Sequence, residues 1–91
     1  MSDEPIQHTL KKPIEHNGKT YSDLTFREVE AGDFMAADQF TGQMSKTIVI
    51  LACMADVPLP AFRRIKGRDL NAIIDKTKDL LGNEEGSTTG E

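Results

Sequence analysis

The stretch Met44-Ser-Lys-Thr-Ile-Val-Ile-Leu-Ala-Cys-Met-Ala-Asp-Val57 decides the fold, because its centre is the most apolar part of the chain. Eight residues, Ile48 to Ala55, pass without a polar side chain. A membrane-spanning helix needs about 20, so the run belongs in a core or an interface. A short β-branched run suits a buried strand or a buried helix, and periodicity alone does not separate them. Length and flanks do. Met44, Ile48, Leu51, Ala52 and Ala55 fall at helical spacing, and Leu-Ala-Cys-Met-Ala supplies good helix formers, so the stretch predicts a helix. Thr41 is the expected N-cap, and Pro58 forces an end because it cannot continue the hydrogen-bond ladder. Met44, Ile48, Leu51 and Ala55 are expected to face the domain's own core, which leaves Val49, Ile50, Cys53 and Met54 for other faces.

Towards the N-terminus, Gln7 to Ile14 and Thr20 to Val29 read as strands flanking Asn17-Gly18, the strongest short-range hairpin signal. A plain two-residue loop pairs Ile14 with Tyr21 and Thr9 with Phe26, which splits Leu10 and Ile14 from Leu24 and Phe26. A three-residue loop, His16-Asn17-Gly18, pairs Leu10 with Leu24 and gathers all four on one face. That register is the expected one, and a bulge near Ser22 achieves the same result. A two-stranded ribbon is not stable alone, so its apolar face must lie on helices.

Glu30-Ala31-Gly32-Asp33 leads into a short helix, Ala31 to Phe40, with Phe34, Ala37 and Phe40 as its expected inner stripe and Asp33 at its positive end. Beyond the central helix, Pro60 begins a brief helical turn through Ile65. A last helix runs from about Gly67 to Leu81: Leu70, Ile73, Ile74, Thr77, Leu80 and Leu81 recur three and four residues apart, and Gly82 stops it. The expected architecture is α+β, an N-terminal β-hairpin packed on a small bundle of two main and two short α-helices. Residues 1–5 are expected to be flexible, 6–82 to form the single domain, and 83–91 to be a disordered tail.

Composition narrows the function classes. Ninety-one residues make one small domain whose core is marginal alone, so oligomerisation or a partner would help it. A net charge of -4 with 5% aromatics and no Trp describes a mildly acidic globular protein and disfavours generic nucleic-acid binding. The single cysteine, Cys53, excludes an internal disulfide and fits a reducing compartment. Met-Ser-Asp-Glu-Pro-Ile has neither a basic nor an apolar leader region, so the expected location is the cytoplasm.

Catalysis finds no foothold. His8 and His16 lie in the hairpin without a neighbouring nucleophile or ligand set, and the expectation for both is a solvated surface position. Cys53, mid-helix in the most apolar segment, reads as a small inert hydrophobe. Phosphate loops, paired-His helices and calcium loops are absent, so neither a cofactor nor a metal is expected. Arg63, Arg64, Lys66 and Arg68 crowd four of the eleven basic residues into six positions. A solvated turn is the plain reading of that segment. A small nucleic-acid-binding or regulatory module using Arg63 to Arg68 is the functional alternative.

The succession Leu10-Lys-Lys-Pro-Ile14, Gly18, Leu24-Thr-Phe-Arg-Glu28, Gly32-Asp33, an apolar helix ending Val57-Pro58, and Asp69-Leu70 resembles the small tail-assembly chaperone family of Mu-like and related contractile-tailed bacteriophages. The resemblance covers about residues 7 to 81; Glu30 and Lys66 stand where the family more often has other residues. It implies an interaction protein of the host cytoplasm that binds the helical tape-measure protein. The partner would stay soluble while tail-tube subunits assemble, and the chaperone would leave before the virion is complete. It also implies self-association or association with a frameshift-extended form. Surplus apolar side chains and four methionines suit a surface for varied helical targets. Phe34, Met35, Phe40, Met54 and Phe62 are the expected partner-binding residues, with the patch centred on Met35, Phe40 and Met54; the alternative is that the short helices Ala31 to Phe40 and Pro60 to Ile65 fold over the central helix and bury them.

Overall fold

A computed structural model describes residues 5–81. Except for Pro5, the ends expected to be flexible lie outside the described residues, as does Gly82. The elements follow the order β1 (Ile6–His16), β2 (Lys19–Phe26), α1 (Ala31–Ala37), α2 (Gln43–Ala55), α3 (Leu59–Phe62) and α4 (Gly67–Leu81). The chain is α+β: one antiparallel hairpin followed by four helices. α2 packs on β2, α4 and α3 on β1, and α1 on α2.

The hairpin turns through two residues, not three. His16 pairs with Lys19, and Asn17 and Gly18 take positive φ of 53° and 79°. Two such residues make the mirror-image turn whose twist suits the right-handed twist of the strands. Pairing runs Ile14 with Tyr21 near the turn but Thr9 with Asp23 further out, so Leu10 to Pro13 together oppose only Ser22. The bulge shifts the register by an odd number of residues, which restores Leu10, Ile14, Leu24 and Phe26 to one buried face. Pro13 has no N–H to offer a ladder, so the irregularity falls where pairing is already lost.

That face meets Leu51, Ala52 and Met54 of α2, Ala61 and Phe62 of α3, and Ile73 of α4 in one core. α4 keeps its predicted bounds. Ile73 and Thr77 are fully buried, Leu70 and Ile74 pack at the edge, and the Thr77 hydroxyl donates to the Ile73 carbonyl at 2.7 Å.

α2 is rotated from expectation. Its buried residues are Val49, Leu51, Ala52 and Met54, while Met44 is exposed and Ile48 and Ala55 are half-buried. Packing from β2 on one side and from α1 and α3 on another uses most of the helix girth, so no single stripe describes it. Gly42, not Thr41, is the N-cap, with a φ of 99° that a side chain would oppose. The helix stops at Ala55: Asp56 takes the left-handed conformation at φ 58° and ψ 42°, and the Val57 N–H returns to the Ala52 carbonyl at 3.0 Å. Pro58 only confirms a stop already made. Because a β-branched residue fits that conformation poorly, Asp56→Val is expected to cost about 1 to 2 kcal/mol, whereas Asp56→Gly should hold or raise the urea midpoint.

Candidate functional site

Arg27 follows β2 directly and ties three segments together. Its Nη1 donates to Asp33 Oδ2 at 2.9 Å and its Nη2 to Asp33 Oδ1 at 3.0 Å, a two-pronged pair between β2 and the first turn of α1. Nη2 also donates to the Cys53 carbonyl at 3.0 Å, in the last turn of α2, where a cation suits the negative end of the helix. Asp33 Oδ2 further accepts the Glu30 N–H at 2.8 Å, which caps the start of α1. The hydrogen bonds from Arg27 hold the Asp33 carboxyl below the usual carboxylate range, against the opposing effect of burial. Asp33 is therefore an anchor, where the sequence suggested only a residue placed to suit the helix dipole.

The anchor sets which way α1 faces. Asp33 and Ala37, four residues apart on one side, are the buried residues of this helix. Phe34 and Met35 are turned off that side and stand 50% and 71% exposed. α1 ends at Ala37, short of the expected Phe40, because Asp38 caps it and the Phe40 N–H bonds back to the Ala37 carbonyl at 2.9 Å in a turn. The expected inner stripe of Phe34, Ala37 and Phe40 thus reduces to Ala37.

Phe40 remains 37% exposed and, with Ser45, Ile48, Val49, Leu59 and Arg63, lines a shallow groove along α2. Met44 at the start of α2 is 56% exposed. Phe34, Met35, Phe40 and Met44 are the large apolar side chains left open to solvent among the described residues.

Met54 and Phe62 do not belong to this set. Met54 is 2% and Phe62 1% exposed, both inside the core, because α3 folds back over the hairpin and packs Phe62 edge-to-face on Phe26. The expected patch keeps Met35 and Phe40 and loses Met54. Met44, assigned to the interior from its spacing, is instead in the open.

His8 corrects a second expectation. It is buried, not solvated: its Nε2 lies 3.2 Å from Asp69 Oδ1, and the Lys76 ammonium donates to its Nδ1 at 3.0 Å. An ammonium only donates, so Nδ1 accepts and the ring proton sits on Nε2, directed at Asp69. Asp69, in the first turn of α4, also accepts the Lys11 N–H at 3.0 Å and the Lys12 N–H at 3.2 Å. These are backbone donors that the β1 bulge removes from the ladder. Burial pushes the Asp69 carboxyl up, but the two amides and the His8 ring outweigh it and the net direction is down. Both ring nitrogens and both carboxylate oxygens are committed within the fold, so the cluster is a clasp between β1 and α4. Period-two spacing from Leu10 was the available signal, since residues 8 and 10 share a strand face.

Burial raises the Cys53 thiol above its ordinary value, which suits an unreactive sulfur. Among the described residues no three His, Cys, Asp or Glu side chains gather as metal ligands would, and no helix is long and apolar enough to cross a membrane.

The family model described as "Phage tail assembly chaperone proteins, E, or 41 or 14" matches residues 7–82. The chain belongs to this family. No curated protein and no solved structure matches it. In this tail assembly chaperone the residues that carry the family resemblance build the scaffold. Arg27 and Asp33 anchor α1, the Lys11-Lys12 amides and Asp69 form the clasp, and Leu10, Ile14, Leu24 and Phe26 fill the core. Membership points to phage tail proteins as partners and to a role without catalysis.

Proposed function

We propose that this chaperone binds the tape-measure protein in the cytoplasm of the bacterial host, keeps it soluble during tail-tube assembly, and is absent from the finished virion. The observation that carries this reading is the open apolar surface of Phe34, Met35, Phe40 and Met44, of which the Arg27–Asp33 anchor holds Phe34 and Met35 outward on α1. Two methionines and two phenylalanines supply adaptable apolar area, and an amphipathic helix laid on such a surface meets it with residues one turn apart. Glu28, Glu30 and Asp38 are exposed around this surface, so a partner helix with basic residues flanking its apolar stripe fits best. The basic segment expected as an alternative site, Arg63 to Arg68, meets this groove at Arg63.

Met35→Asp and Phe40→Asp place a charge where a dry contact should form, and the cost of desolvating it exceeds what one apolar contact contributes. Co-expression with the tape-measure protein provides the test. Wild type should hold the partner in the soluble fraction and co-purify with it. Both variants should keep a wild-type circular dichroism spectrum and lose the partner. Folded variants that retain full binding would remove this surface from the function.

A further inference from the structure

We propose that Lys11, Lys12, Arg63, Arg64, Lys66 and Arg68 form a second docking surface, meeting the apolar groove at Arg63 alone, for an acidic polypeptide segment. The six come from three places in the chain: the β1 bulge, the turn after α3, and the start of α4. All six are exposed. Lys11, Lys12, Lys66 and Arg68 surround one concavity floored by Asp69, and Arg63, Arg64 and Lys66 border a second beside Pro13 and Glu15. Lys66 belongs to both, so the surface is continuous.

The charge distribution is uneven. These six are more than half of the eleven Lys and Arg residues; with Asp69 and Glu15 of the two concavities set aside, the rest of the chain has five cations against thirteen Asp and Glu. None of the six has a carboxylate partner within 4.0 Å among the described residues. Asp69 does not neutralise the surface, because it is buried and its oxygens are taken by Lys11 N–H, Lys12 N–H and His8. The clasp does the opposite of neutralising: it pins the bulge against α4 and holds Lys11 and Lys12 beside Lys66 and Arg68. Collecting like charges on a rigid edge opposes folding, and an anionic partner offsets that repulsion.

Polypeptide fits better than nucleic acid. A phosphate backbone would have to approach a molecule that is strongly acidic away from this edge. Base stacking finds no platform here either, since Phe26 and Phe62 are buried, Tyr21 lies under Lys19, and Phe34 and Phe40 belong to the apolar surface. An extended run of Asp and Glu needs only the local complementarity that the two concavities provide.

The test uses the intact chain and a labelled peptide of Glu and Gly, followed by fluorescence anisotropy. Binding should weaken steeply as salt is raised. Lys66→Glu with Arg68→Glu, and separately Lys12→Glu with Arg64→Glu, should each weaken it roughly tenfold or more while leaving the urea midpoint unchanged or higher. Met35→Asp should bind this probe as wild type does, so failure of the apolar site and failure of the basic one are told apart. The proposal is overturned if the peptide does not bind, if either charge-reversed pair binds it undiminished, or if a DNA duplex binds more tightly than the peptide. Concentration-dependent self-association that the charge reversals abolish would also overturn it, by assigning the surface to a second copy of the chain.

Discussion

Asp69→Asn is expected to destabilise the domain by about 2 to 4 kcal/mol, because it strips a buried carboxylate from three donors at once. An amide offers one acceptor and turns its NH2 towards a backbone N–H or the His8 ring, so a donor meets a donor. Lys11 and Lys12 then lose the partner that replaced their ladder bonds, and the bulge that sets the hairpin register loses its tie to α4. The variant should also change the pH dependence. Asp69 titrates lower in the folded state than unfolded, so its contribution is present above the unfolded value of about 3.9 and is lost as the pH falls through the folded one. Asp33 has the same sign. Wild-type urea midpoints should therefore drop as the pH falls below about 4 and through the lower folded-state values of the two carboxyls, and the drop should be shallower in Asp69→Asn. Equal slopes for the two proteins would place the acid sensitivity elsewhere.

Phe62→Ala should cost about 3 to 5 kcal/mol, the range for a buried aromatic that leaves a cavity. Its ring is 1% exposed and stands at 82° to that of Phe26 with centroids 6.3 Å apart, so truncation removes burial and an edge-to-face contact together. Thermal unfolding by circular dichroism measures the loss. Under conditions where the variant is still folded, tape-measure binding should match wild type, since the ring lies in the core. Impaired binding by a stable Phe62→Ala would return this residue to the interaction surface.

Much of the architecture was legible because its signals are local. The apolar spacing from Leu70 onwards predicted α4 over about Gly67 to Leu81, as found, and Asn17-Gly18 predicted the hairpin. The preferred three-residue loop is not formed; the alternative, a bulge near Ser22, is, with Leu10 to Pro13 opposite that residue, and it meets the same-face requirement that had been assigned to the turn. Met54 and Phe62 were taken as surplus on the premise that each helix buries one stripe. α2 is covered from several sides, and a four-residue helix, α3, suffices to seal Phe62 inside. His8 was read from its chemistry and not from its strand parity. The long-range partners, Arg27 with Asp33 and Cys53, and Asp69 with Lys11, Lys12 and His8, were beyond sequence reasoning: oppositely charged residues are common, and only the fold decides which of them meet. Of the expected partner-binding residues, Phe34, Met35 and Phe40 are in the open, where a partner can reach them.

Site-specific photocrosslinking from position 35 tests whether the open face of α1 holds the tape-measure protein. With benzoylphenylalanine in place of Met35, on the open face of α1, irradiation of cells making the tape-measure protein should yield one covalent adduct with it. The same group at Asp23, on the outer side of the hairpin, should yield none. Adducts from position 23 and none from position 35 would contradict this, because the partner would then be held by the hairpin and not by α1.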